Sequence, residues 1–391
     1  MKVGIDLASF YLPNQSFDLS LLAKERGFEE DYYRKHLGIE KIACCAPDED
    51  PVTLGANALY QMRDYIEWSE VDTILVATES GVDESKSSGL YIHGLLNLPS
   101  TIRVIELKQA CYSGMAALRF ASALIREDPR RKIIVLASDV ASYSLYSPAE
   151  SNQGAGAVAL LLSANPRLLT LEIWQGVYSQ DIDDFWRPSY SKDAIVRGQY
   201  STKTYLKFLE KSWENFRANS QLNADDFSFF CFHCPFPALV EMGFQKLTKK
   251  NSILLEQKCI NGLQSSLIYS RKIGNAYSAS LFISLISLLE NSESLKSGDR
   301  IGIYSYGSGS IGEFGSLILN EGWQNNLFKE QHQNLLGGDK SRSLSYNEFL
   351  RYHDFKLPQD GSVLQIEEKI ALNFRLSGIA EHRLIYQKSA K

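Results

Sequence analysis

No apolar run in the sequence approaches the roughly 18 residues needed to cross a bilayer, which argues against a membrane span. Nor is there an excess of basic charge. The formal net charge is −5 and the longest basic run is Arg130-Arg131-Lys132, so nucleic acid, which needs a basic stripe to neutralise phosphates, is not an expected partner. The 6 cysteines have no regular spacing, so no disulfide framework is expected, and a reducing cytoplasm fits best. The start, Met1-Lys2-Val3-Gly4-Ile5-Asp6, turns polar too soon for a signal peptide. Pro-rich and Gly/Ser-rich linkers are also missing, so the parts of the chain are expected to pack together rather than hang on tethers. What remains is an ordinary globular composition, 44% hydrophobic and 22% charged over 391 residues, enough for a large core and more than one domain.

Short apolar runs rich in β-branched residues predict buried strands at Lys2–Ile5, Thr73–Thr78, Arg103–Leu107, Lys132–Ser138 and Ala155–Leu162. Helical stretches at Gly55–Tyr65 and Met115–Arg126 lie between them, an alternation that implies an α/β layer architecture. A second series begins near residue 168. It comprises a strand Leu168–Gln175, a helix Lys203–Asn219, the aromatic run Phe227–His233, a helix near Ser278–Glu290, and strands Ile301–Tyr306 and Gly315–Leu319. The order roughly repeats the first, although no residue-level repeat is visible, so a duplicated α/β core is expected. After Glu321 the chain is polar and aromatic with few clear strands, and Leu344–Tyr352 reads as a helix.

Three segments carry reactive side chains. Gln109-Ala110-Cys111-Tyr112-Ser113-Gly114 lies between a strand and a helix start, where the helix dipole favours thiolate. A buried structural cysteine is the plain alternative. In Cys231-Phe232-His233-Cys234-Pro235-Phe236, His233 is a candidate general acid or base, or simply a strand-capping histidine. Cys231 and Cys234 form a CxxC, but a structural zinc site needs four ligands and no second CxxC exists. Thr78-Glu79-Ser80-Gly81 follows a strand, placing Glu79 where α/β sheets bind ligands, unless it is a solvated loop residue. The Gly-rich segments at 274–280 and 304–310 suit backbone donation to a ligand oxygen, and neither holds the Gly-Lys-Ser/Thr of a phosphate loop.

Taken in order, these segments resemble the thiolase superfamily, and within it the 3-hydroxy-3-methylglutaryl-CoA synthase family. The resemblance rests on Gly4-Ile5-Asp6, Glu79-Ser80-Gly81-Val82-Asp83, Ala110-Cys111-Tyr112, the run at 153–158, Asp184-Phe185-Trp186-Arg187-Pro188, Phe232-His233-Cys234-Pro235-Phe236, Gly274-Asn275, the run at 305–310, and Gly312-Glu313-Phe314. It implies a thiolase-like five-layered αβαβα core built from two halves, 1–165 and 166–391, and a homodimer. It also implies roles: Cys111 as nucleophile, Glu79 as base, and His233 acting on the developing alkoxide. Asn275 would bind the acceptor, Tyr143 and Phe185 would line the acyl pocket, and Gly307 and Ser308 would lie at the oxyanion site. No tightly bound cofactor is implied. A non-catalytic scaffold of this fold would ordinarily lack Cys111, Glu79 or His233, and all are present.

Two members of the family differ in what delivers the acyl groups. One joins acetyl-CoA to acetoacetyl-CoA in the mevalonate pathway; the other works on acyl carrier proteins in polyketide β-branching. The segments at 49–53, 79–83, 86–87 and 108–114 look more like the second, whereas Asp184-Phe185-Trp186-Arg187-Pro188 and the short chain look more like the first. The stretch Pro237–Gln245 lacks the lysines that would face CoA phosphates, leaving Lys246 and Lys249 as the nearest. That tips the sequence reading toward carrier delivery, which in turn predicts a basic patch from Arg34, Lys35, Lys41 and Lys203.

Overall fold

The computed structural model describes residues 1–191, 193–250, 257–337 and 342–389. In chain order the framework is β1 (Val3–Tyr11), α1 (Pro51–Met62), β2 (Val71–Ala77), β3 (Arg103–Leu107), α2 (Ser113–Glu127), β4 (Lys132–Ala141) and β5 (Gly154–Ala164). There follow β6 (Leu169–Ser179), α3 (Gly198–Ser220), β7 (Phe229–Phe232), α4 (Ser280–Asn291), β8 (Arg300–Gly307) and β9 (Ile311–Leu319). The nine strands hydrogen-bond in the order β7-β8-β9-β6-β1-β5-β4-β2-β3.

This order contains the duplication that the residues themselves hide. Outward from β1, the pairings β1–β5, β5–β4 and β4–β2 run antiparallel, antiparallel, parallel. Outward from β6, the pairings β6–β9, β9–β8 and β8–β7 repeat that pattern. The two sets join through β1 and β6, at Gly4↔Thr170 and Ile5↔Leu169.

Strand periodicity builds the layers. Ile133, Val135 and Ala137 of β4 share one core with Cys231, Ile301 and Ile303 and with residues of α2 and α4. The opposite face of the first half, through Ile134, Leu136, Ile74 and Val76, packs on Leu54, Ala58 and Leu59 of α1. The opposite face of the second half, through Phe230, Phe232 and Tyr304, packs on Tyr205, Phe208 and Leu209 of α3. The result is five layers. Helix α4 is buried on all sides from Ser280 to Glu290, as expected of an apolar helix between two sheet faces.

Two expectations need correction. Arg103–Leu107 is a strand but not a buried one, because it closes the sheet edge; Ile105 is 43% exposed. The C-terminal region holds a hairpin, Phe374–Ala380 with Arg383–Lys388. Its first strand is mostly buried but interrupted by Arg375, Ser377 and Gly378, and its second is largely exposed, so neither shows the continuous apolar run that marks buried strands. It is clamped to the start of α1 by Tyr386 OH donating to Asp50 at 2.5 Å and by Arg375 beside buried Asp48. All six cysteines are free thiols, and no helix among the described residues is long and apolar enough to cross a membrane.

Candidate active site

The loops after β2, β3, β7 and β8 meet at one edge of the layers, where the carboxyl ends of parallel strands leave a crevice. There a cavity of ≈ 110 Å³ is lined by Cys111, Tyr143, Phe185, His233, Asn275 and Ser308 among others. The strand ends thus gather residues from both halves of the chain.

Cys111 sits in the turn into α2, preceded by Ala110 in the left-handed region (φ 46°) and held by Tyr112 N–H donating to Gln109 O at 3.2 Å. Its thiol donates to Glu79 Oε1 at 3.1 Å. Burial, then the charge of Asp139, lifts the Glu79 carboxyl to about 8. Burial, then the Glu79 charge, raises the Cys111 thiol well above its usual value. The expected thiolate is therefore not the resting form. A helix terminus supplies about 0.3–1 kcal/mol, up to about 2 in partly buried settings. A carboxylate some 4 Å away acts with about 4 kcal/mol at an effective dielectric of 20, and desolvation adds to that. The Cys111 thiol keeps its proton and donates it to Glu79, whose carboxyl divides between acid and carboxylate near pH 8; the ionised fraction is the form able to take that proton.

His233 follows β7 and is 1% exposed. Its main chain is fixed by donation to Tyr304 O at 2.7 Å and by Tyr205 OH donating to its carbonyl at 2.8 Å, while Nδ1 has no partner. Burial pushes its pKa down to about 3. The imidazole is neutral at ordinary pH, so it offers a hydrogen bond rather than a mobile proton, unlike the near-neutral titration expected of an unperturbed histidine.

Asn275 spends its amide oxygen on Tyr277 N–H (2.9 Å) and Ser280 Oγ (3.0 Å), so what it presents to a ligand is its NH₂ group. Tyr143 and Phe185 form an edge-to-face cage with Tyr277, ring centroids 6.0 to 6.2 Å apart, packed with Cys111. Ser308 lines the cavity, whereas Gly307 lies behind the nucleophile turn, against Tyr112. Lys246 pairs with Glu210 at 2.9 Å and Lys249 is exposed; neither lines the cavity. Cys231 is in the core and Cys234 is buried with its thiol pushed up to about 12, and no metal-holding cluster occurs among the described residues.

Two fully buried carboxylates were given no role by reading the sequence, although Asp184 stands in one of the segments that carry the resemblance. Asp139, in β4, accepts from Thr78 Oγ1 (2.8 Å), Glu79 N (2.8 Å), Ser80 N (3.0 Å), Ser80 Oγ (2.6 Å), Ser278 N (3.0 Å) and Ser278 Oγ. It ties the Glu79 loop to the turn carrying Asn275 and Tyr277. The signal was an acid near the end of a mostly apolar strand. Asp184 accepts from Tyr306 OH (2.6 Å), Gly309 N (3.0 Å), Ser310 Oγ (2.9 Å) and Ser201 Oγ (3.0 Å), fixing the Ser308 loop beside Phe185. Tyr277, buried beside Tyr143 in the cage, was also given no role from sequence.

Residues 1–166 match the family model described as hydroxymethylglutaryl-coenzyme A synthase N terminal, and residues 246–334 match its C-terminal counterpart. The hydroxymethylglutaryl-CoA synthase of Enterococcus faecalis is 36% identical over 352 residues, 89% of this chain and 91% of that protein. The polyketide biosynthesis 3-hydroxy-3-methylglutaryl-ACP synthase of Bacillus subtilis is 29% identical over 401 residues, 96% of this chain and 93% of that one. A crystal structure of HMG-CoA synthase complexed with CoA superposes with TM-score 0.95 at 35% identity, covering 99% of this chain and 100% of the other. With its duplicated sheet and a cysteine in contact with a buried acid, this chain belongs to the hydroxymethylglutaryl-CoA synthase family.

Proposed function

We propose that the chain condenses an acetyl group carried on Cys111 with the β-keto carbon of a β-ketoacyl thioester and then hydrolyses the product free. The observation that carries this is the 3.1 Å contact of buried Glu79 Oε1 with Cys111 Sγ, the thiol lining one cavity with His233 and Asn275. Residues 1–165 supply nucleophile and base; residues 166–391 supply the histidine and the amide.

Cys111 passes its proton to Glu79 as sulfur attacks the donor thioester, and the departing thiol takes that proton away. Glu79, again a carboxylate, removes a proton from the acetyl methyl. The carbanion adds to the acceptor keto carbon. The N–H of neutral His233 stabilises the new alkoxide, which becomes the hydroxyl by taking up the proton that Glu79 removed from the methyl, leaving Glu79 a carboxylate again. The Asn275 amide orients the acceptor, and the Ser308 loop faces the thioester oxygen. Water then cleaves the Cys111 thioester, giving a 3-hydroxy-3-methylglutaryl-type product. The cage of Tyr143, Phe185 and Tyr277 keeps the enolate-like carbon away from solvent.

We take CoA thioesters as the substrates. Part of the basic ridge expected for an acidic carrier protein is compensated, Lys203 being exposed apart from it: Arg34 and Lys35 both pair with Asp31, and Lys35 also with Glu29. Lys41 shares its groove with Glu30, Asp31 and Glu40. The higher identity to a CoA-named relative points the same way. Carrier delivery is the second reading, favoured by Lys246 being engaged by Glu210. Intact-mass analysis after incubation with acetyl-CoA or acetyl carrier protein separates them. One acetyl adduct from acetyl-CoA, absent in Cys111→Ala, is the expected result; an adduct from the carrier alone would establish the second reading.

A second copy of the chain is the expected partner at the β3 edge. Ile105 is 43% exposed there, and Phe120 (54%), Ile173 (60%) and Trp174 (42%) lie on α2 and β6. Light scattering should give twice the 44.0 kDa of one chain; a monomer at micromolar concentration would remove this assignment. The free thiols fit a reducing, cytoplasmic setting.

A further inference from the structure

A second charged cluster lies behind the nucleophile turn, and none of its members lines the cavity. Glu313, in β9, is 1% exposed. Its Oε1 accepts from Arg119 Nε at 2.6 Å and its Oε2 from Tyr112 OH at 2.6 Å. Arg119 also donates to the carbonyls of Glu172 (3.0 Å) and Trp174 (3.3 Å). Tyr112 and Arg119 are separated by about two helical turns, so they project toward one side at the start of α2.

The β8–β9 hairpin is cut to receive both. A Cβ on Gly307 would lie 2.6 Å from Tyr112 Cβ, and one on Gly315 would lie 2.2 Å from Arg119 Nη2. Glu313 stands between these gaps, directly across from Ser305. Stability alone does not account for such an arrangement, because a buried ion pair is often no better than apolar residues of the same volume. What the charges add is direction: a carboxylate with both oxygens engaged holds the tyrosine ring and the arginine at fixed angles. The residue after Tyr112 opens α2, and the residue before it is Cys111.

We infer that Glu313 is a positioning residue. Through Tyr112 it holds the Gln109–Ser113 turn against the Gly307–Ser310 loop, and so sets the reach of the Cys111 thiol toward Glu79 and the Ser308 side of the cavity. The inference rests on Cys111 being the nucleophile. A displacement of about 1 Å at a reacting group is enough to cost roughly a hundredfold in rate, so a partial shift of this turn should be visible in the first half-reaction.

The test uses the full chain carrying Glu313→Gln, Tyr112→Phe, or both. The readouts are the rate of Cys111 acetylation, the pH profile of its alkylation by iodoacetamide, and thermal unfolding. Expected are about a tenfold or greater slowing of acetylation in each single variant, a displaced alkylation profile, and a double variant no slower than the slower single one. Tyr112→Phe removes one hydroxyl, so it decides the matter should Glu313→Gln fold poorly. Acetylation at the wild-type rate with an unmoved alkylation profile in Tyr112→Phe would overturn the inference, as would losses that merely track the unfolded fraction. Persistent acetyl incorporation in Cys111→Ala would instead overturn the nucleophile assignment itself.

Discussion

Glu79→Gln is expected to lower turnover by about a hundred- to ten-thousand-fold, the range spanned by a positioned acid–base group. The substitution keeps size and an acceptor oxygen but removes the carboxylate that contacts the Cys111 thiol and would deprotonate an acetyl group held on it. Because the carboxyl titrates at about 8 and only its ionised form accepts a proton, the wild-type rate should rise with pH through that region. The variant should lack that limb. A pH–rate profile decides it, and a variant that retains the limb would assign it to another group. Stability should move the other way. The folded-state value of about 8 stands above the ordinary 4.5, so the contribution of Glu79 to stability is whole below 4.5 and lost as pH rises through 8. Relative to wild type, the variant should therefore gain in melting temperature between pH 5 and pH 8.5, the trade of stability for function expected at a strained site.

His233→Ala is expected to slow condensation by roughly a hundred- to a thousandfold, the usual cost of removing one donor to a developing oxyanion. Acetylated Cys111 should then accumulate, since the histidine faces the acceptor step rather than the thiol contact. Mass analysis during turnover reads this directly. With the imidazole pKa pushed down to about 3, no rate limb near 6.5 should arise from His233. A limb at that pH which disappears in the variant would contradict a neutral imidazole. The depressed value has its own stability signature: the folded chain should lose stability as pH falls from 6.5 toward 3, because only the unfolded chain gains that proton readily.

Much of this was legible beforehand for local reasons. A buried strand needs a run of apolar residues, and the runs within β1, β2, β4, β5 and β8 were long enough to show. Cys111, Glu79 and His233 stood out because each follows a readable strand, and loops after parallel strands carry chemistry. Asp139 did not stand out, and Asp184 only as one letter of a segment, without a role. Their meaning lies in partners far along the chain, Ser278 for one and Gly309 with Ser310 for the other. The exposed face of β3 was equally hidden, since five apolar-leaning residues look alike at the centre and at the edge of a sheet.

Sequence alone determined the class of fold and the order of the elements, and it singled out the side chains proposed as reactive groups, because strand period, turn residues and side-chain chemistry are local properties. Tertiary structure decided their state. Cys111 is a thiol rather than a thiolate, Glu79 a weak acid and His233 a neutral donor, because burial and the charges brought beside them outweigh what each residue does in water.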